Sequence, residues 1–283
     1  RNKCSCCWIK KMRRGLFLLC LFCSQLVFAL DFEKLTSSVN VPGNATTSYE
    51  KQWTPFHNPS ALSMKKGAKK ASFSLSYNNY FTLKEFSSYA ASASMFTKYI
   101  DVGVAFSRFG FSEYNENIVG LAVSRKFANR FTIAIQGDYC FVSIPKTEGT
   151  HGVFLFELGT MVDVYKGFSI GFHAFNPILS SIQFGTNKIE IPSIYSLGFS
   201  YEYLQYMTFL LQIDQQVFAP TRFKIGMEYD VNDFFVAKIG FQGFPAQPMI
   251  GFSAKYIGIQ LDAKLEWQTS LGVNTGCRLS YSF

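Results

Sequence analysis

From Ala71 to Phe283, apolar and polar residues alternate with few interruptions. Between Ile259 and Gln268 the apolar set is Ile259, Leu261, Ala263, Leu265 and Trp267, interleaved with Gln260, Asp262, Lys264, Glu266 and Gln268. The same period of two runs through Phe131–Tyr139, Tyr195–Tyr203, Phe223–Asp230 and Val273–Phe283. Successive strand side chains point to opposite faces, so each stretch has one oily face and one wet face. The pattern predicts strands near 71–79, 88–97, 101–109, 118–127, 131–141, 152–164, 168–175, 194–204, 207–217, 222–230, 233–241, 249–257, 259–268 and 273–283. Short breaks near 97–99, 128–130, 165–167, 204–206, 231–232 and 256–258 take turns with mostly longer ones near 80–87, 110–117, 142–151, 176–193, 218–221, 242–248 and 269–272.

A soluble sandwich alternates too, with its wet face outside, whereas a membrane barrel turns the wet face to the lumen. Loop length separates the two. Short turns at one end and longer loops at the other, over an even number of strands, are the mark of a transmembrane antiparallel up-and-down barrel. Aromatics near strand ends (Tyr139, Tyr165, Tyr203, Tyr206, Tyr229, Trp267, Tyr281, Phe283) are placed as an interfacial girdle would place them. The predicted class is all-β, a barrel of about fourteen strands spanning 71–283, with a short amino-terminal plug at 30–70.

Composition supports a barrel. The 283 residues include 31 Phe and 15 Tyr, yet only 16% are charged, against about 25% in soluble domains. Past the leader, no apolar run approaches the ~20 residues of a membrane helix. Met12-Arg13-Arg14, the apolar Leu16–Phe28 and the small Ala29 read as a signal peptide over 12–29. Residues 1–11 are then expected to be upstream of the true start. The formal charge of +8 belongs mostly to that leader: beyond residue 29 there are 21 basic and 19 acidic residues, a net +2. Nucleic-acid binding loses its electrostatic basis. Five of the seven cysteines also precede residue 30, and Cys140 and Cys277 have opposite strand parity, which argues against a disulfide.

Residues 30–70 do not alternate, and they are enough to fold into a lumen. Within them stands Asn58-Pro59-Ser60-Ala61-Leu62, which resembles the Asn-Pro-Ala-x-Leu element in the plug of FadL-type outer-membrane barrels. That family includes PorV-like and spirochaetal relatives. The resemblance implies fourteen strands, an amino-terminal hatch, and uptake of long-chain fatty acids or other small hydrophobic molecules by passive diffusion. It would give Asn58, Pro59 and Ser60 a place beside a gap in the wall. Locally, Pro59 fixes its own φ, and Asn58 can cap a following helical turn, a role any helix start could demand. Ile178, Leu179, Ile182 and Phe184 put apolar side chains on the fourth long loop, expected to be exposed and to meet ligand or to close the mouth. The brief third loop departs from the fatty-acid transporters and puts that specificity in doubt. Tyr281 and Phe283 resemble the terminal signal read by the barrel-assembly machinery. The implied partners are outer-membrane lipid, a hydrophobic small molecule and that machinery, in a bacterial outer membrane, without nucleic acid and without cofactor. His57, His151 and His173 have no metal-ligand spacing, and no nucleophile elbow or phosphate loop occurs, so no enzyme is expected. Two other functions stay open: a PorV-like scaffold or shuttle for secreted proteins, and a small general porin.

Overall fold

The computed structural model describes residues 32–64, 70–145, 149–184, 187–243, 245–269 and 271–283. The expected upstream residues 1–11, the expected leader at 12–29, and Lys65, Lys66 and Lys69 lie outside the described residues. Sixteen strands follow in order: β1 (Ala71–Asn79), β2 (Ser87–Phe96), β3 (Asp101–Gly110), β4 (Asn115–Phe127), β5 (Phe131–Ile144), β6 (Gly149–Tyr165), β7 (Phe168–Phe175), β8 (Ser181–Phe184), β9 (Asn187–Glu190), β10 (Ile194–Tyr203), β11 (Met207–Gln216), β12 (Arg222–Asp230), β13 (Phe235–Gln242), β14 (Gln247–Tyr256), β15 (Ile259–Gln268) and β16 (Gly272–Ser282). All but β8 and β9 form one closed antiparallel barrel of fourteen strands, with β7 paired to β10 and β1 to β16. Among the described residues, no helix is long and apolar enough to cross a membrane, a fact that bears only on helices.

The alternation in sequence becomes two surfaces. Leu75, Val104, Leu121, Ile135, Ile225 and Leu279 lie on the exposed outer face, while their neighbours Ser74, Ala105, Ala122, Gln136, Lys224 and Arg278 are buried toward the lumen. Hydrocarbon is the medium in which such an outer surface is stable. The wet face is therefore the inner one, as the barrel reading requires.

Both β1 and β16 have their chain-end residues at one rim, where the Lys70 and Ala71 amides donate to the Phe283 carbonyl. We call this the near rim. The loops at the far rim are longer, but less so than the sequence predicted. β4, β5 and β6 extend beyond their predicted ends and leave only 111–114 and 145–148 as connections. The large exception is 176–193, which contains the hairpin β8–β9.

Residues 32–64 lie within the barrel. They include a four-residue helix α1 (Phe32–Leu35), a 3₁₀ turn at Pro42–Asn44 and a second short helix α2 (Ala61–Met64). Leu35, Val41, Ala45, Trp53, Phe56 and Leu62 are all buried. This segment begins at the far rim, where Glu33 of α1 pairs with Arg222 at 2.6 Å. The segment then descends, and α2 reaches the near rim, where Lys126 Nζ donates to the Met64 carbonyl at 2.6 Å. A segment with so little regular structure has carbonyls that need donors. The wall supplies them: Lys238 Nζ donates to Asn40 O at 2.6 Å, and Lys264 Nζ to Ser38 O at 2.6 Å.

Close approach needs space as well as donors. Gly226 and Gly240 face each other across β12 and β13, and a Cβ on either would collide with Pro42 or Gly43 of the segment. Gly171 and Gly198, paired across β7 and β10, form a second such seat for Thr47 and Ser48. Gly43 itself has φ +61°, a left-handed conformation that favours glycine.

Gly240→Leu should unseat the segment without opening the barrel, because the added side chain overlaps the Pro42–Gly43 backbone while the ladder is untouched. The expected outcome is a folded, heat-modifiable barrel in which an added protease cleaves within 32–64 at least several-fold faster than in the parent. Equal cleavage rates would show that the glycine seat does not hold the segment.

Candidate functional site

The sequence singled out two groups, Asn58–Ser60 and Ile178–Phe184. The structure places both in the sector of β6 and β7, at different heights. Asn58 is buried, and its amide satisfies two neighbouring backbones at once. Nδ2 donates to Thr47 O at 2.6 Å within the segment and to Thr160 O at 3.1 Å on β6. Oδ1 accepts from Ser60 N at 3.1 Å and Ser60 Oγ at 2.6 Å, fixing the chain just before α2. Pro59 packs where a side chain at Gly159 would otherwise stand. Asn58 thus fastens the segment to the wall as well as starting a helical turn.

His57, next to it, hydrogen-bonds through Nδ1 to the Pro55 carbonyl at 2.9 Å. A carbonyl can only accept, so Nδ1 carries the proton. Burial pulls this imidazole down to about 3, against a smaller opposing effect of the Pro55 hydrogen bond, and leaves it neutral at ordinary pH.

The fourth long loop departs from expectation in one respect. Ile178 and Leu179 are exposed at the far rim, but Ile182 is buried. The reason is the hairpin, which folds back so that β8 packs against β6. Asn176 ties its base together: its amide nitrogen donates to Phe156 O at 3.1 Å, and its side chain to Ile191 O at 2.9 Å. Ile191 is buried as well. Phe184 lies on β8, and its side chain is outside the described residues.

From the level of Phe156 toward the far rim, beside the hairpin, the wall of β4–β6 is apolar. Ile118, Cys140, Val142 and Leu155 occupy inward positions on β4, β5 and β6, and all are buried. Further down, Gln136 Nε2 donates to Asp138 Oδ1 at 2.8 Å and Glu157 Oε1 at 3.1 Å, and His173 Nε2 meets Glu157 Oε2 at 2.8 Å. From Phe156, under the hairpin, to Thr160, at Asn58, is four residues of β6, roughly 13 Å of strand. Exposed loop, apolar wall, polar cluster and Asn58 therefore stack down one sector.

The sector of β11 to β15, which follows β10 around the barrel, differs. Lys224 pairs with Asp214 at 2.7 Å, and Lys238 with Asp262 at 3.0 Å and Glu228 at 3.6 Å. Glu228 also accepts from Tyr49 and pairs with Lys51 of the segment. Between these sectors, β1–β3 face the segment with Ser74, Ser92 and Ser107. A cavity of about 30 Å³ is left there against Leu35, Val39 and Phe56. Among the described residues, no group of three or more His, Cys, Asp or Glu is arranged to hold a metal ion.

No family model and no curated protein sequence matches the chain. Solved structures do. The toluene transporter TodX of Pseudomonas putida superposes with a TM-score of 0.64 at 11% identity, over 88% of this chain and 96% of that one. The toluene transporter TbuX of Ralstonia pickettii gives 0.63 at 11%, over 86% and 97%. The monoaromatic hydrocarbon channel CymD gives 0.64 at 9%, over 90% and 99%. The fold is that of a FadL-like outer-membrane barrel. At these identities the likeness concerns the FadL-like fold alone.

Sequence reading missed the glycine seats and the Glu157–His173 pair. The signal for the first was present: Gly103, Gly120, Gly159, Gly171, Gly198, Gly226 and Gly240 all hold inward parity. Glycine is unfavourable in a strand interior unless another backbone comes close.

Asn58→Asp keeps the size and the acceptor toward Ser60 but aims a carboxylate at two carbonyls. Docking of the segment should weaken by about 3 kcal/mol, the cost of two buried acceptors left without donors. Limited proteolysis of residues 32–64 in the intact barrel measures this. Unchanged protection would remove Asn58 from the fastening.

Proposed function

We propose that this chain is an outer-membrane channel for small hydrophobic molecules, with residues 32–64 as its plug. In this reading the far rim faces outward and the near rim faces the periplasm. Export is by a signal peptide at 12–29, and Tyr281 and Phe283 serve recognition by the assembly machinery. The observation that carries the proposal is the buried apolar patch Ile118, Cys140, Val142 and Leu155 on the inner wall of β4–β6, at the level of the hairpin and farther out than Asn58. A porin for ions or sugars gains nothing from burying such residues in its lumen, whereas an apolar solute leaving water gains about 25 cal/mol per Å² that it buries. Similarity in fold to channels described as toluene transporters supports the same class of cargo.

A solute would meet Ile178 and Leu179 first, pass between the hairpin and the apolar wall of β4–β6, and be stopped at Asn58 until the segment shifts. Partition supplies the driving force, with no energy-coupling step. The chemistry of the wall suits hydrocarbons, including long-chain fatty acids whose carboxylate stays at the rim.

Purified barrel in detergent should bind radiolabelled toluene or oleate saturably, and proteoliposomes should take up the one that binds. Leu155→Glu should lower that binding at least ten-fold while the barrel stays heat-modifiable. Absence of saturable binding of both probes would overturn the transport reading. Deleting 32–64 should raise single-channel conductance several-fold, and an unchanged conductance would deny these residues the role of plug.

A further inference from the structure

At the far rim, four aromatic rings surround one ammonium. Lys34 Nζ lies 5.8 Å from the ring centroid of Tyr80, 5.0 Å from Phe81, 5.4 Å from Phe86 and 5.7 Å from Phe109. The rings also contact one another in a closed circuit. Tyr80–Phe81, Phe81–Phe86, Phe86–Phe109 and Phe109–Tyr80 have centroids 6.4, 6.3, 6.1 and 6.0 Å apart. All four distances to the cation fall within the ~6 Å at which a ring quadrupole attracts it. Three of the rings come from the connection between β1 and β2, and the fourth from β3. The wall alone therefore builds the cage. Lys34 belongs to the luminal segment and is its tethered occupant.

The backbone of the cage is held by bonds in which the Lys34 side chain takes no part. Tyr80 N donates to Phe86 O at 2.8 Å and Leu83 N to Tyr80 O at 3.1 Å. The Phe81 amide donates to Asn274 Oδ1 on β16 at 3.2 Å. Phe81 and Thr82 both have left-handed backbones, at φ 59° and 58°. Non-glycine residues adopt that conformation at a cost, and β-branched threonine especially so. Tyr80 and Phe109 are buried, while Phe86 is exposed, so the circuit has a dry base and an open edge.

We propose that this circuit is a binding site for small organic ammonium ions, with Lys34 as a built-in competitor. The lysine side chain is itself a butylammonium, and its seat shows what the rings accept. Inorganic cations of the same charge are excluded because four ring faces cannot replace a full hydration shell, whereas an alkylated ammonium is weakly hydrated and presents C–H surface to each ring. A tethered occupant has a high effective concentration and masks the site from weak ligands. A ligand that displaces the Lys34 ammonium would leave the rim end of the luminal segment held by Glu33 on Arg222 and Gln242 and by Tyr80 Oη donating to the Lys34 carbonyl. The proposal does not depend on hydrocarbon transport, since it concerns binding at the rim.

The test uses the full-length barrel in micelles and saturation-transfer NMR of tetramethylammonium, at constant ionic strength against sodium. Lys34→Met should bind tetramethylammonium at least ten-fold more tightly than the parent. Lys34→Arg, which refills the cage, should bind as weakly as the parent. Adding Phe81→Leu and Phe86→Leu to Lys34→Met should return the signal to the sodium background. Heat-modifiability confirms that each variant is folded. No saturable signal from folded Lys34→Met overturns the proposal. So does equal binding by parent and variant, or binding of toluene in place of the ammonium, which would make the circuit an apolar pocket.

Discussion

Everything in this molecule depends on one closure, the ladder between β1 and β16. Its register runs from Ser72 opposite Ser282 to Asn79 opposite Thr275, joining strands about two hundred residues apart in the chain. In hydrocarbon there is no water to take an unpaired N–H or C=O, so an open sheet edge costs several kcal/mol for each exposed group. A barrel one strand short would leave two such edges. The apolar outer face, the parity of every strand and the width of the lumen all follow from satisfying this seam.

Closure creates a second demand inside. Fourteen strands enclose more space than their own side chains fill, and here the chain fills it with residues 32–64. An irregular segment brings backbone carbonyls that a helix or sheet would have satisfied. This explains lysines in positions otherwise costly for them. Lys238 and Lys264 each donate to a segment carbonyl while a carboxylate stands beside the ammonium. A buried cation with no such partner would be destabilising by several kcal/mol. The glycine seats answer the same demand in space, letting two backbones approach where two side chains could not.

Much of this was legible in the sequence because strand parity is local. The fourteen wall strands fall within a few residues of their predicted ranges, and the largest misses, at β4, β5 and β6, come where pairing extends strands into stretches whose composition reads as loop. Asn58 was legible by half. Its acceptor toward Ser60 is a local device, but its donor bonds to Thr47 and Thr160 join residues 11 and 102 positions away, and no local pattern encodes them. Ile182 failed for a related reason: apolar residues on a long connection look exposed until the hairpin that turns them inward is known. The inward glycines were visible but had no meaning until a backbone was found opposite them. The far-rim start of the segment rests on Glu33 and Arg222, 189 positions apart.

The uneven distribution of these contacts around the lumen decides where the filled barrel can give way. Moving the segment off β12–β15 would break the bonds from Lys238 to Asn40 O and from Lys264 to Ser38 O, and those from Tyr49 and Lys51 to Glu228, leaving these wall charges only their partners on the wall. Moving it off β6 and β7 would release the bond from Asn58 to Thr160 and little ionic chemistry. Against β1–β3 the contacts are Ser63 Oγ donating to Asp101, Ser107 Oγ donating to Leu35 O, the Lys34 ammonium among its rings, and apolar packing beside an existing cavity. The side of β12–β15 is thus held by the most bonds to charged wall groups, and the side of β1–β3 is where a cavity already exists. The apolar patch of β4–β6 adjoins β3, so along that side the segment meets the wall largely through packing, and a contact made by packing yields at a smaller cost than one that leaves a buried charge short of a donor or acceptor.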